Sequence, residues 1–294
     1  MKFVHVAAAT VLMGASVGAI AGDFVELNKS FPWRLNGATN QNTDRYFLQL
    51  AAPTQSIPTP MVITSSFVNI DNEVIPLVAS SITYNARSTT GAQSIIGTGT
   101  LTLLDYRLNE DVTLAGQAIG DIYDFVYRDS RDNKLVFGTR VILGLPGQQQ
   151  NAELNNVFRY GFEEDGTTFD AAAAWLFLSN FDLRLYSAAR SDQGLKQMDV
   201  FDPDAVSFQS DINLSEGNPY SGLYLLKTNA TYYTYADNAI GYFQAGEESQ
   251  PVVKAFTGGF VPTNTAPIPE PSTYAMLLAG LGMIGVIARR RMRA

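Results

Sequence analysis

The chain has 294 residues, with 20 lysines and arginines against 28 aspartates and glutamates, no cysteine, and one histidine, His5. Without cysteine there are no disulfides and no thiol nucleophile. With its one imidazole at position 5, the rest of the chain has no Ser-His-Asp triad, no histidine acid–base chemistry and no ordinary zinc site.

The N-terminus reads Lys2, then an apolar run from Phe3 to about Ala15, then Ala19-Ile20-Ala21 before Gly22. This is the pattern of a secretory signal peptide over residues 1–21, with an Ala-x-Ala cleavage site at Ala19 and Ala21. It predicts export through Sec-type machinery. The exported body is long enough for one large domain or two small ones, and needs no cross-links to support a core. Without Lys2, Glu270 and the four arginines near the C-terminus, it keeps 15 basic and 27 acidic residues. A body this acidic repels phosphates, so no nucleic-acid partner is expected.

Runs rich in Val, Ile, Thr, Tyr and Phe recur between turn signals and predict a mainly β domain over residues 22–257. Tyr46–Leu50 is a short candidate strand. Met61–Ile70 follows a proline-rich loop, and Val74–Tyr84 follows the Asp71-Asn72 turn. Ile95–Leu104 alternates apolar and small polar residues. Ile122–Arg128 and Leu135–Leu143 make the clearest hairpin, joined by Asp129-Ser130-Arg131-Asp132-Asn133, whose residues tolerate tight turns. In its second strand Leu135, Phe137, Thr139, Val141 and Leu143 share one face. Asp170–Leu178 reads as a strand or a short helix, because good helix formers follow an N-capping Asp while Trp175 and Phe177 suit a buried strand. Leu223–Tyr235 and Val252–Phe256 read as strands. The expected fold is an antiparallel β-sandwich-like secreted domain. From Gly258 the composition shifts to Gly, Pro, Thr and Asn, which predicts a linker over residues 258–268.

Candidate chemistry in the body is thin. Glu163, Glu164 and Asp165 could hold a glycosidase acid/base pair, but adjacent acids before Gly166 more often make a solvated turn. Asp199, Asp202 and Asp204, and separately Asp121, Asp124, Asp129 and Asp132, offer oxygen donors for calcium without EF-hand spacing, so loop capping is the better reading. Tyr220, Tyr224, Tyr232, Tyr233 and Tyr235 could form a platform for sugar rings, against ordinary half-buried packing. Thr98, Thr100 and Thr102 share one strand face. None of these is singled out as catalytic or metal-binding, and no cofactor is expected.

The C-terminal stretch is more specific. Pro267-Ile268-Pro269-Glu270-Pro271 alternates prolines, which exclude helix and keep the chain extended. Tyr274–Ala288 then carries no charge and as a helix spans about 22 Å, short of the roughly 30 Å apolar core of a bilayer. Ser272, Thr273 and the stems of the following arginines extend it to a single transmembrane helix. Arg289, Arg290, Arg291 and Arg293 follow and should stay on the cytoplasmic side, leaving the body outside.

The order Pro269-Glu270-Pro271, Ser-Thr-Tyr, apolar helix, arginine cluster closely resembles the PEP-CTERM sorting signal of Gram-negative bacteria, over about residues 268–293. The resemblance implies processing by an exosortase, a membrane-embedded cysteine transpeptidase-like enzyme that removes the helix and the arginines. Proteins with this signal typically occur in bacteria that make exopolysaccharide. The same signature is sometimes labelled an ice-binding-protein C-terminal domain, a label that says nothing of the body. Residues 269–293 would then be the sorting signal, the helix a membrane anchor only until processing, and the mature form a cell-surface or extracellular protein. The expected role is a non-enzymatic matrix component associated with exopolysaccharide. A carbohydrate-binding module or adhesin is the alternative, and a carboxylate-based polysaccharide-acting enzyme a third.

Overall fold

The computed structural model describes residues 24–27, 29, 35–36, 51–56, 60–63, 73–76, 81–87, 95–176, 182–194, 200–246 and 252–266. The signal peptide with Ala19 and Ala21, the Tyr46–Leu50 strand, Phe177, Asp199 and the sorting signal with Pro269, Glu270, Pro271 and its four arginines lie outside the described residues.

Among the described residues every regular element is a strand. In chain order these are β1 (Val25–Glu26), β2 (Leu35–Asn36), β3 (Ala51–Ser56), β4 (Pro60–Ile63), β5 (Glu73–Pro76), β6 (Ser81–Arg87) and β7 (Ile95–Leu114). Then come β8 (Gln117–Asp129), β9 (Leu135–Leu143), β10 (Glu153–Arg159), β11 (Glu163–Glu164), β12 (Thr167–Thr168) and β13 (Ala172–Leu176). The rest are β14 (Asp182–Leu183), β15 (Ser187–Arg190), β16 (Val206–Asn213), β17 (Tyr220–Ser221), β18 (Leu223–Thr228), β19 (Tyr232–Ala245) and β20 (Val252–Thr263).

The larger sheet runs β1-β13-β18-β9-β8-β7-β6-β3, with β17 and β14 beside β9, and the smaller runs β2-β15-β16-β10-β19-β20. Every pairing is antiparallel except β14 with β17. The expectation of a mainly β, antiparallel fold holds. In place of two flat layers, the larger sheet curls into a half-barrel. Phe24, at the β1 edge, lies edge-on to Tyr84 of β6, with ring centroids 6.1 Å apart across the intervening strands. The curl has local causes. β7 carries register shifts at Leu103/Asp105 and Asn109/Val112, and bulges of this kind sharpen strand twist. Glycines then make room inside, since Tyr84 occupies the space where a Cβ on Gly99 would stand.

Each face of the larger sheet has its own core. Inside the curl Phe24, Tyr84, Tyr123, Phe125, Tyr127, Ile142 and Leu223 form one apolar cluster. On the outer face Ile122, Val141, Leu143, Trp175 and Tyr224 pack against Leu154, Phe208, Ile240 and Tyr242 of the smaller sheet. All nine residues of β9 are therefore buried, although its two faces meet different neighbours.

The predicted hairpin is present as β8 and β9, paired from Arg128↔Leu135 across the Asp129–Lys134 turn. Its Asn133 takes a positive φ of 58°, which asparagine tolerates better than most residues. β7 and β8 are joined by a two-residue turn, Ala115-Gly116, with φ of 49° and 82°, the mirror-image geometry that suits strand twist. Within the ambiguous Asp170–Leu178 stretch, Ala172–Leu176 is a strand, β13, because it lies between β1 and β18 and is covered on both faces. The single run read at Leu223–Tyr235 is two strands, β18 and β19, that belong to different sheets.

One expectation needs correction. The composition over residues 258–268 suggests a linker, but Gly258–Thr263 is the second half of β20, paired with β19 from Gly259↔Ala236 to Thr263↔Tyr232. Its glycines mark close approach instead of slack. A Cβ on Gly258 would stand 1.8 Å from the Tyr235 hydroxyl, and one on Gly259 2.6 Å from a carboxylate oxygen of Asp124. The paired strand therefore reaches to Thr263, inside the span expected to be linker.

Candidate functional site at the exit of the last strand

The carboxylates singled out in the sequence do not assemble into one site. Asp124 faces out of the curl and is fully buried between the sheets. It binds the guanidinium of Arg159, from β10, at 2.5 Å. Its other oxygen accepts the Phe260 amide of β20 at 2.5 Å. Arg159 also donates to Thr139 Oγ1 at 2.7 Å and to the Phe260 carbonyl at 2.5 Å. Burial pushes the Asp124 carboxyl above its ordinary range, with Arg159 the strongest group pulling it back.

Asp129 faces the inside of the curl, where the Lys227 ammonium lies 2.5 Å away and the Tyr84 hydroxyl donates at 2.6 Å. Asp132 sits at the mouth of that hairpin, 3.2 Å from the same ammonium. Asp121 caps a bulge in β7 by accepting the Asp111 amide at 3.0 Å and a Gln148 donor at 3.0 Å. Asp202 accepts the Asp204 amide at 2.9 Å, and Asp204 that of Glu163 at 3.1 Å. Among the described residues no three acidic side chains converge as a metal cluster would.

The tyrosine platform is also dismantled. Tyr220 and Tyr224 are fully buried in the two-faced sheet. Tyr233 packs edge-on to Phe260 at 5.5 Å. Only Tyr232 and Tyr235 are exposed, and the Arg107 guanidinium covers the Tyr235 ring at 4.4 Å. Thr98, Thr100 and Thr102 do lie on one face of β7, with Thr83 of β6 opposite Thr100.

Glu163 and Glu164 belong to the β11–β12 hairpin, whose turn is Asp165-Gly166 with φ of 50° and 74°. This is the Asp-Gly mirror-image turn, so the expected solvated turn is present. Glu163 is exposed and Glu164 part-buried. Glu164 reaches across to the end of β20. It accepts the Thr263 hydroxyl, the Asn264 amide at 2.7 Å and the Thr265 hydroxyl at 3.3 Å. These bonds, the Thr263 hydroxyl first, hold its carboxyl below the ordinary glutamate range. From the other side the Thr231 amide and hydroxyl donate to the Asn264 side-chain oxygen at 3.2 and 3.3 Å. The chain is thus gripped at the point where it leaves the body. Sequence reasoning placed Glu164 in a turn and missed its partner, because nothing local connects residues 99 positions apart.

A shallow cleft of about 440 Å³ opens between β7 and the β19–β20 hairpin, lined by Arg107, Asn109, Glu110, Asp111, Phe256 and Thr257 among others. Phe256, on its border, is 47% exposed overall. No sequence signal pointed to this cleft, since its acidic lining reads as a solvated loop.

The family model of the PEP-CTERM protein-sorting motif matches residues 267–291, directly after the grip on Asn264 and Thr265. No curated protein and no solved structure matches the chain. The motif defines the class: a secreted protein with a membrane-anchored precursor that is sorted by an exosortase.

Proposed function

We propose that the body is a non-enzymatic component of the cell surface or extracellular matrix, delivered there by exosortase processing and associated with exopolysaccharide. The observation that carries this reading is the PEP-CTERM motif at residues 267–291. The body supports it. Its buried carboxylates Asp124 and Asp129 are committed to cations that join strands, and Asp121 and Asp204 cap backbone amides. Signal-peptide removal after Ala21 and loss of the C-terminal helix belong to the same reading. Changing Pro269-Glu270-Pro271 to Ala-Ala-Ala should leave a longer, membrane-retained form, and its normal release would refute the sorting step. The matrix role is tested by fractionation. The mature protein should co-purify with exopolysaccharide and become soluble when the polysaccharide is digested; a fully soluble protein in both cases sinks it.

One observation favours carbohydrate binding as the second reading. Phe256, a part-exposed aromatic residue, borders a mainly polar cleft with Arg107, Asn109, Glu110 and Thr257. Flat apolar rings bordered by hydrogen-bonding side chains suit the two faces of a sugar ring. Phe256→Ala should then abolish retention on immobilised exopolysaccharide while leaving the fold intact.

A further inference from the structure

β20 is held at two depths. The inner hold is Asp124 on the Phe260 amide, fully buried. The outer hold is Glu164 on Thr263, Asn264 and Thr265, at the surface. Between them lies Pro262, opposite Tyr233. The amides of Phe260 and Asn264 both point away from β19, to Asp124 and Glu164, so Pro262 stands on the same free edge and takes no bond from the ladder. Past Thr263, which still pairs with Tyr232, the chain is held by Glu164 and, through Asn264, by Thr231.

The distances make that grip matter. From Thr265 to Pro269 the chain spans at most about 14 Å when fully extended. A compact body of roughly 245 residues has a radius of gyration of about 18 Å. While Glu164 keeps its bonds, chain length alone limits Pro269 to about 14 Å from Thr265, less than the radius of the body. An enzyme enclosing that motif at the membrane must abut the body. Opening the outer hold, the Thr231 bonds to Asn264 included, frees residues 264–265 and adds about 7 Å of chain, because Thr263 stays paired with Tyr232. The buried Asp124–Phe260 bond then stops the fraying, so the release is bounded.

We propose that the Glu164 grip is a latch that ties the chain ahead of the sorting motif to the body, and that exosortase engages the motif after the latch opens. The proposal rests on the sorting reading above, and its test separates the two. It commits to a direction: the latch slows processing.

The test follows conversion of precursor to mature protein by pulse-chase in a host that supplies the exosortase, using the full-length chain. Glu164→Gln and Glu164→Ala should each speed conversion by about threefold or more, the scale set by loss of one to a few surface hydrogen bonds. Thr263→Val, which removes a strand-side hydroxyl without touching the hairpin, should act in the same direction. Inserting eight Gly/Ser residues after Ala266 should speed conversion as much. In the insertion background Glu164→Gln should add nothing further. Unchanged or slower conversion in both Glu164 variants overturns the latch, and so does an insertion without effect. Additive gains also overturn it, because distance and latch would then act separately. Urea midpoints confirm that the variants are folded. If Pro269-Glu270-Pro271 changed to Ala-Ala-Ala is itself processed normally, the sorting reading has failed instead of the latch.

Discussion

Two carboxylates anchor the same strand four residues apart, and they do so in opposite surroundings. Asp124 accepts the Phe260 amide with no solvent contact, beside a guanidinium that is equally buried. Glu164 accepts the Asn264 amide at the surface, with only neutral donors around it. Burial drives the first carboxyl up and hydrogen bonding draws the second down. A buried ion pair is costly to form and far costlier to half-remove, so it fixes register and does not open. A surface carboxylate on hydroxyls and an amide has a small opening cost. The strand therefore has a fixed root and a releasable tip.

The largest expected effect comes from breaking the root. Arg159→Met should destabilise the body by about 3–5 kcal/mol, because Asp124 would remain buried without its cation. A urea titration followed by tryptophan fluorescence would read this, since Trp175 lies in the core cluster that the two sheets share. Asp124→Leu combined with Arg159→Met should recover part of the loss. It should not recover all of it, because the Phe260 amide then lacks its acceptor, at a cost of about 1–3 kcal/mol. If the single variant loses no stability, the contrast between root and tip collapses.

An intermediate effect is expected inside the curl. Lys227 pairs with Asp129, and its ammonium also lies 4.4 Å from the centre of the Phe24 ring. Lys227→Met removes that cation, but Asp129 keeps the Tyr84 hydroxyl and the Arg131 amide at 3.0 Å. The expected loss is about 1–3 kcal/mol, smaller than at Arg159 because the carboxylate stays partly satisfied. A loss as large as that of Arg159→Met would mean that the interior of the curl, and not the seam between sheets, is the more rigid part.

The same contrast explains what the sequence discloses. β8 and β9 are legible because apolar residues alternate across a turn rich in Asp and Asn. The second half of β7 is not, because Asp105, Arg107, Glu110 and Asp111 read as a loop while forming a bulged strand. β10 and β16 are obscured in the same way, since Asn156, Arg159 and Ser207 are buried through partners in other strands. Gly258, Gly259 and Pro262 imitate a linker, yet the glycines are demanded by Tyr235 and Asp124, residues far away in sequence. The sorting motif stands out because its chemistry is local: proline alternation, an uncharged run and clustered arginines need no tertiary partner. Its latch is silent for the converse reason. Glu164 has meaning only once β11 and β20 are adjacent.

The smallest effect is expected at the tip, and it concerns acid instead of substitution. The folded-state pKa of Glu164 lies below its ordinary value of 4.5. A depressed carboxyl contributes its full hold above the unfolded pKa and loses it as pH falls through the folded one. The grip should therefore be intact at neutral pH and unchanged down to about pH 5, then weaken in stronger acid. The Asn264 amide resonance reports this directly, because that amide donates to Glu164 at 2.7 Å. Its shift should titrate with a midpoint below 4.5 and become flat in Glu164→Gln. The Phe260 amide, tied to buried Asp124, should not follow the same curve. Were both amides to move together, root and tip would be one cooperative unit and the bounded release of residues 264–265 would be lost. If only Asn264 moves, the strand opens from its end, where the sorting motif begins.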